Sequence, residues 1–187
     1  WSINSTANYA TFQWNFQFMY EFAKAHPEIS WVFKPHPNLL FSAVEEKIFP
    51  SAETFKEYLQ AWDKLPNALF YTGAYYQDIF ATSDGMILDS CSFIVEYQFV
   101  DKPMIFLTRE GEKFNELGRE ILKASYLVNG QNLDEIATTM QKVFIEGKDD
   151  KAAKRKAVFD KYLNYPKANG MLASEFIFKN IIDELKP

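Results

Sequence analysis

The chain predicts an α/β domain, an open doubly wound parallel sheet with helices on both faces. Two observations carry this. Five short apolar runs, at residues 29–33, 68–71, 85–88, 104–107 and 126–128, alternate with stretches of helical spacing. No two-residue hairpin signal joins any of them, so each strand needs a helical crossover to reach the next. A third feature locates the chemistry. Asp89, Ser90, Cys91 and Ser92 follow the apolar Met86-Ile-Leu at once and precede an amphipathic run. A strand ending in a small polar turn before a helix presents backbone N–H groups and a positive dipole end, which suits a phosphate.

The elements follow in order. Residues 1–8 are polar and Ser/Asn-rich and read as a loop. In residues 10–25, Phe12, Phe16, Met19, Tyr20 and Ala23 recur at three- and four-residue spacing, so a helix follows, capped by Asn8 or Ser5 and ended by His26-Pro27. Bulky Trp31, Val32 and Phe33 give a buried strand over 29–33. Lys34-Pro-His-Pro-Asn then stiffens a turn that holds His36. Helices are expected over 41–48 and 51–64, the latter with a weak Ser51/Thr54 capping signal, and a strand over 68–71. Gly73 opens a turn before a helix at 75–82. The strand at 85–88 leads to a helix at 92–99, a strand at 104–107 and a polar loop at 109–115. A helix at 116–123, a strand at 126–128 and a helix at 133–145 capped by Asn132 complete the sheet. Two further helices, 151–163 and 171–185, close the chain.

At 187 residues, 48% of them hydrophobic, the chain reads as one domain with a substantial core. Its 17% aromatic share, with 18 Phe and 10 Tyr, is high; a large-residue core is the simpler reading and an aromatic docking face the other. A net charge of −5 argues against a nucleic-acid partner, which needs a concentrated basic face. The densest basic run, 148–161, also holds Asp149, Asp150 and Asp160. It reads as a solvated helix face, with peripheral contact to an anionic membrane as the alternative. The single Cys91 fits a reducing, cytoplasmic setting, and no run approaches the ~20 apolar residues of a membrane span. The chain starts at Trp1 and so reads as a fragment.

Each candidate site residue has a bland reading beside the functional one. His36 stands at a strand's carboxyl end between two prolines, where an imidazole can donate to a phosphate or move a proton; His26 merely ends a helix. Lys34 adds charge there or points to the other side. Asp89, Ser90 and Ser92 are good caps whatever the function. Cys91 at a helix start would be acidified, but nothing supplies the base and orienter that a nucleophilic thiol needs. Glu96, one turn on from Ser92, binds a sugar hydroxyl or is solvated. Gly73 allows a turn or a close backbone approach to a ligand, with Thr72 and Tyr75 beside it. Neither dinucleotide nor P-loop fingerprints occur, and no metal-ligand spacing or cofactor motif does.

Three segments together resemble a known family. Trp31-Val-Phe-Lys-Pro-His-Pro-Asn, Gly85-Met-Ile-Leu-Asp-Ser-Cys-Ser-Phe-Ile-Val-Glu-Tyr and Asp101-Lys-Pro-Met-Ile-Phe are similar to the CDP-glycerol glycerophosphotransferases, which include teichoic acid primases and polymerases. Asn169-Gly-Met-Leu-Ala-Ser-Glu-Phe-Ile resembles that family's closing helix. The resemblance implies one Rossmann-like lobe of a GT-B fold, residues 1–187 forming the carboxyl-terminal donor lobe without its acceptor lobe. It implies that His36, Asp89, Ser90 and Ser92 line the donor pyrophosphate site, with Cys91 standing where the family often has Ser. The implied reaction is attack of an acceptor hydroxyl on the β-phosphorus of a CDP-alcohol, with CMP leaving. The acceptor would be a glycan or polyol phosphate of the cell envelope, and the isolated lobe would turn over poorly. A nucleotide-sugar glycosyltransferase lobe and a non-catalytic assembly module are the competing expectations.

Overall fold

A computed structural model of the chain describes residues 2–3 and 10–186. Six parallel strands form a sheet: β1 (Ser2–Ile3), β2 (Trp31–Pro35), β3 (Ala68–Phe70), β4 (Met86–Leu88), β5 (Met104–Thr108) and β6 (Tyr126–Asn129). Their order is β3-β2-β1-β4-β5-β6. The chain thus builds outward from β1 to β3, returns to β4, and builds outward the other way.

The parallel expectation holds, and helices flank the sheet. One more strand is present than the five expected. Ser2–Ile3, read from sequence as loop, pairs with both β2 and β4. Two residues are too few for an alternation pattern to show. The proposed caps Ser5 and Asn8 lie outside the described residues. Strand β2 sits two residues later than expected, so Lys34 and Pro35 belong to it.

Alternate residues of the central strands enter two separate cores. Ile87, Ile105 and Leu107 join one cluster with Phe12 and Met19 of α1 (Phe12–Ala25), Trp62 of α3 (Ala52–Asp63) and Ile136 of α7 (Leu133–Met140). Met86, Leu88, Met104 and Phe106 join the other, with Phe80 of α4 (Gln77–Thr82), Ile94 of α5 (Phe93–Glu96), Ile121 of α6 (Glu116–Lys123) and Val158 of α8 (Ala152–Tyr162). Successive strand side chains point to opposite faces, so apolar helix faces cover both sides.

Much of the high aromatic content is core. Phe12 of α1, Phe55 and Tyr58 of α3, and Phe49 in the link from α2 (Leu39–Glu45) to α3 pack edge to face or face to face. Burial pushes the Tyr58 phenol well above its usual range while its hydroxyl donates to the Phe16 carbonyl at 2.9 Å. Ser51 and Thr54 form a full capping box on α3, stronger than the sequence suggested.

Two expected helices change character at their ends. The helix expected over 92–99 is α-helical only at Phe93–Glu96 and then tightens into a 3₁₀ turn over Tyr97–Val100. Its run of Phe, Ile, Val, Tyr and Phe loses side-chain freedom in a helix, and Asp101 in the left-handed region (φ 51°) ends it. The helix expected over 133–145 widens into a π turn at Gln141–Ile145.

The basic run is partly neutralised by its own neighbours. Arg155, 3% exposed, is held by Asp101 (2.9 Å) and Asp149 (2.8 Å), and Lys148 pairs with Glu146 (2.7 Å). Past α9 (Tyr165–Asn169), helix α10 (Ala173–Glu184) leaves Ile177, Phe178 and Ile181 largely exposed. Among the described residues no helix is long and apolar enough to cross a membrane.

Candidate ligand site at the carboxyl ends of the strands

The register fixes where the predicted residues fall. Ser2 of β1 lies opposite Lys34 on one side and Leu88 on the other. Lys34 and Leu88 therefore share a row, and His36 and Ser90 follow the ends of their strands, one residue past Pro35 and two past Leu88. Neighbouring strands are about 4.8 Å apart, so the two chains flank β1 at roughly 10 Å. His36 and the elbow thus stand on either side of the carboxyl end of β1.

Lys34, Gly73 and Glu96, far apart in sequence, come together here. The Lys34 ammonium lies 5.8 Å from the Tyr71 ring and 5.5 Å from the Tyr76 ring, an aromatic cation site. Partial burial holds Lys34 below the usual lysine range. The Tyr76 hydroxyl donates to Glu96 Oε2 at 2.8 Å, and the carboxylate that accepts this proton pushes the phenol up. Tyr71 donates to the Tyr75 carbonyl, and a β-carbon at Gly73 would run into the Tyr71 ring. The glycine therefore shapes the cradle around Lys34. Thr72 and Tyr75 are exposed beside it.

The elbow differs from its expected role. Asp89 is 3% exposed and turned inward, where it accepts from Thr11 N–H at 2.6 Å and Thr11 Oγ1 at 3.0 Å. Its carboxylate caps the start of α1. Ser90 Oγ accepts the Ser92 N–H and donates to Ser92 Oγ, both at 3.3 Å. That takes up one of the donors expected to face an anion. Ser92 occupies the cap position of α5 without a capping bond. With only four residues in α5, little dipole accumulates, and the elbow offers hydroxyls more than a helix end. Cys91 and Ser92 are exposed, and Ser90 is nearly buried.

His36 is exposed, and its Nδ1 accepts the Asn38 N–H at 3.2 Å. A neutral ring accepting at Nδ1 carries its proton on Nε2, so it offers a donor on the far side. His26, as expected, is structural: it stacks on Phe22 and pairs with Glu28.

Sequence reading missed the groups at the ends of β5 and β6. Arg109 Nε lies 3.6 Å from Glu112 Oε1, and both side chains are mostly buried. Desolvation, and then the charge of Asp89, raise the Glu112 carboxyl above its usual range against the pull of Arg109. Asn15 Nδ2 reaches Thr11 Oγ1 (3.1 Å) and the Gly130 carbonyl (3.2 Å), knitting α1 to the turn after β6. The positional rule that singled out His36, a polar residue just past a strand's carboxyl end, points equally to Arg109. Among the described residues no group of three or more His, Cys, Asp or Glu is placed to hold a metal ion.

No protein-family model and no curated protein matches the chain.

Proposed function

We propose that this domain is a Rossmann-like, doubly wound donor lobe of a two-lobe GT-B transferase, and that it binds a CDP-activated alcohol for glycerophosphate transfer. The observation that carries the reading is the strand reversal between β1 and β4, with His36 just past the carboxyl end of β2 and Ser90 just past that of β4. In open parallel sheets, ligands sit in the crevice beyond the carboxyl ends at such a reversal.

In this reading Lys34 supplies charge to the donor diphosphate. The Ser92 hydroxyl and His36 Nε2–H donate to its oxygens, and the Ser90 hydroxyl, donating to Ser92 Oγ, orients Ser92. An acceptor hydroxyl forms the new O–P bond at the β-phosphorus. The bond to the bridging oxygen breaks, CMP leaves with that oxygen, and the acceptor's proton passes to a base on the second lobe. The domain's contribution is position and charge.

Titration calorimetry with CMP and CDP-glycerol tests this. The wild-type domain should bind both, and His36→Ala combined with Ser92→Ala should weaken binding at least tenfold, about 1.4 kcal/mol. Absence of binding, or a double variant that binds as wild type, contradicts the proposal. Tighter binding of UDP- or GDP-sugars would reassign the donor to a glycosyltransferase.

A further inference from the structure

Strands β3 and β6 form the two edges of the sheet, and the chain treats them differently. In β3, the Tyr71 N–H donates to the Phe33 carbonyl and the Asn67 carbonyl accepts from the Trp31 N–H, so odd-numbered residues face β2. Ala68 and Phe70 face outward, and both of their N–H groups are occupied. Ala68 donates to the Leu65 carbonyl at 3.3 Å and Phe70 to Asp63 Oδ1 at 3.0 Å. That edge is closed to further pairing.

Strand β6 is open. The Gly130 N–H donates to the Thr108 carbonyl at 2.8 Å, so even-numbered residues of β6 face β5, and Leu127 and Asn129 face outward. Among the described residues, nothing bonds the Leu127 N–H and carbonyl, the Asn129 N–H or the Ser125 carbonyl. The two other outward groups are satisfied within the chain. The Ser125 N–H donates to the Leu122 carbonyl at 3.0 Å, and the Asn129 carbonyl accepts from the Asn132 N–H at 2.9 Å. The Leu127 side chain is 48% exposed, while Tyr126 and Val128 are buried on the other face.

We propose that β6 pairs antiparallel with β6 of a second copy of this chain, about a two-fold axis through Leu127. Leu127 is then its own partner, and the two copies exchange both N–H···O bonds there. The next bonded pair of an antiparallel ladder lies two residues away in each direction. It sets the Asn129 N–H of one copy against the Ser125 carbonyl of the other. Each open donor thus meets an open acceptor, and the groups left idle are those already bonded within each chain. An unrelated extended segment can pair in any register. Only pairing with itself requires the open groups to be symmetric about one residue, and they are symmetric about Leu127. The two leucines face each other at about 5.5 Å between α-carbons, and two six-stranded sheets become one across an isologous contact. The inference is independent of the donor-site reading.

Sedimentation of the full chain tests it. An edge of four residues is smaller than the roughly 800 Å² per partner of a stable interface, so dimer should accumulate only over about 10–500 µM. Leu127→Lys and Leu127→Glu each set like charges opposite one another across the axis and should weaken self-association at least tenfold. Both change an exposed side chain and leave the ladder to β5 intact. An equimolar mixture of the two variants should recover the dimer, because Leu127 faces its own counterpart. A wild-type chain that stays monomeric throughout overturns the proposal. So does a dimer that Leu127→Lys leaves unchanged, or one that both variants weaken and their mixture does not restore, which places the contact elsewhere.

Discussion

Replacing Asp89 tests what the elbow does. The carboxylate accepts two hydrogen bonds from Thr11, at 2.6 and 3.0 Å, and both residues are buried. A hydrogen bond to a charged group contributes about 1.5–3 kcal/mol, and Asp89→Ala leaves two buried donors without an acceptor. The expected loss is about 3–5 kcal/mol, a large fraction of the roughly 5–15 kcal/mol that holds a domain together. Asp89→Asn keeps an acceptor oxygen but not the charge, so its loss should be about 1–2 kcal/mol. Urea unfolding at pH 7 measures both. A double-mutant cycle with Thr11→Val should show coupling of about 0.5–3 kcal/mol. If Asp89→Ala unfolds within about 0.5 kcal/mol of wild type, as a surface change does, the capping role is wrong. Loss of nucleotide affinity at unchanged stability would make Asp89 a ligand contact instead.

Three other perturbations read the same framework. Gly130→Ala sets a β-carbon 2.5–2.6 Å from buried Thr11 carbons, so overpacking should cost about 1–3 kcal/mol in chemical denaturation. Arg155→Met strands the mostly buried Asp149 without its cation; a loss of about 3 kcal/mol is expected, at the low end for a broken buried pair because Asp101 is exposed. Glu112 titrates above its ordinary value of 4.5 in the fold. The folded state thus holds its proton more tightly, a contribution fully present below pH 4.5 and lost as pH rises through the raised value. Glu112→Gln should remove that part of the decline, and parallel stability–pH curves for the two proteins would contradict the assignment.

What the sequence could reveal depended on the range of each interaction. The helical faces of α1 and α7 and the apolar runs of β4 and β5 are local patterns, and they fold as their spacing predicts. Asp89 shows the limit. Its local reading is the cap of its own helix, yet it caps α1, 78 positions earlier, and no short-range signal records that partner. Lys34 had two local readings, and only Tyr71 and Tyr76, brought alongside by β3 and α4, settle where it stands. Strand β1 escaped notice because two residues carry no periodicity. The premature end of α5 was readable, since its β-branched and aromatic run is poorly suited to a helix.

The location of nucleotide binding tests the central claim most directly. Backbone amide shifts of ¹⁵N-labelled protein, followed while CMP is added, would map it residue by residue. The account predicts shifts clustered at Lys34, His36, Tyr76 and Ser90 to Ser92, around the carboxyl ends of β2 and β4. Shifts confined to the opposite rim, at Ser30 and Asp84, or none at millimolar CMP, would contradict it.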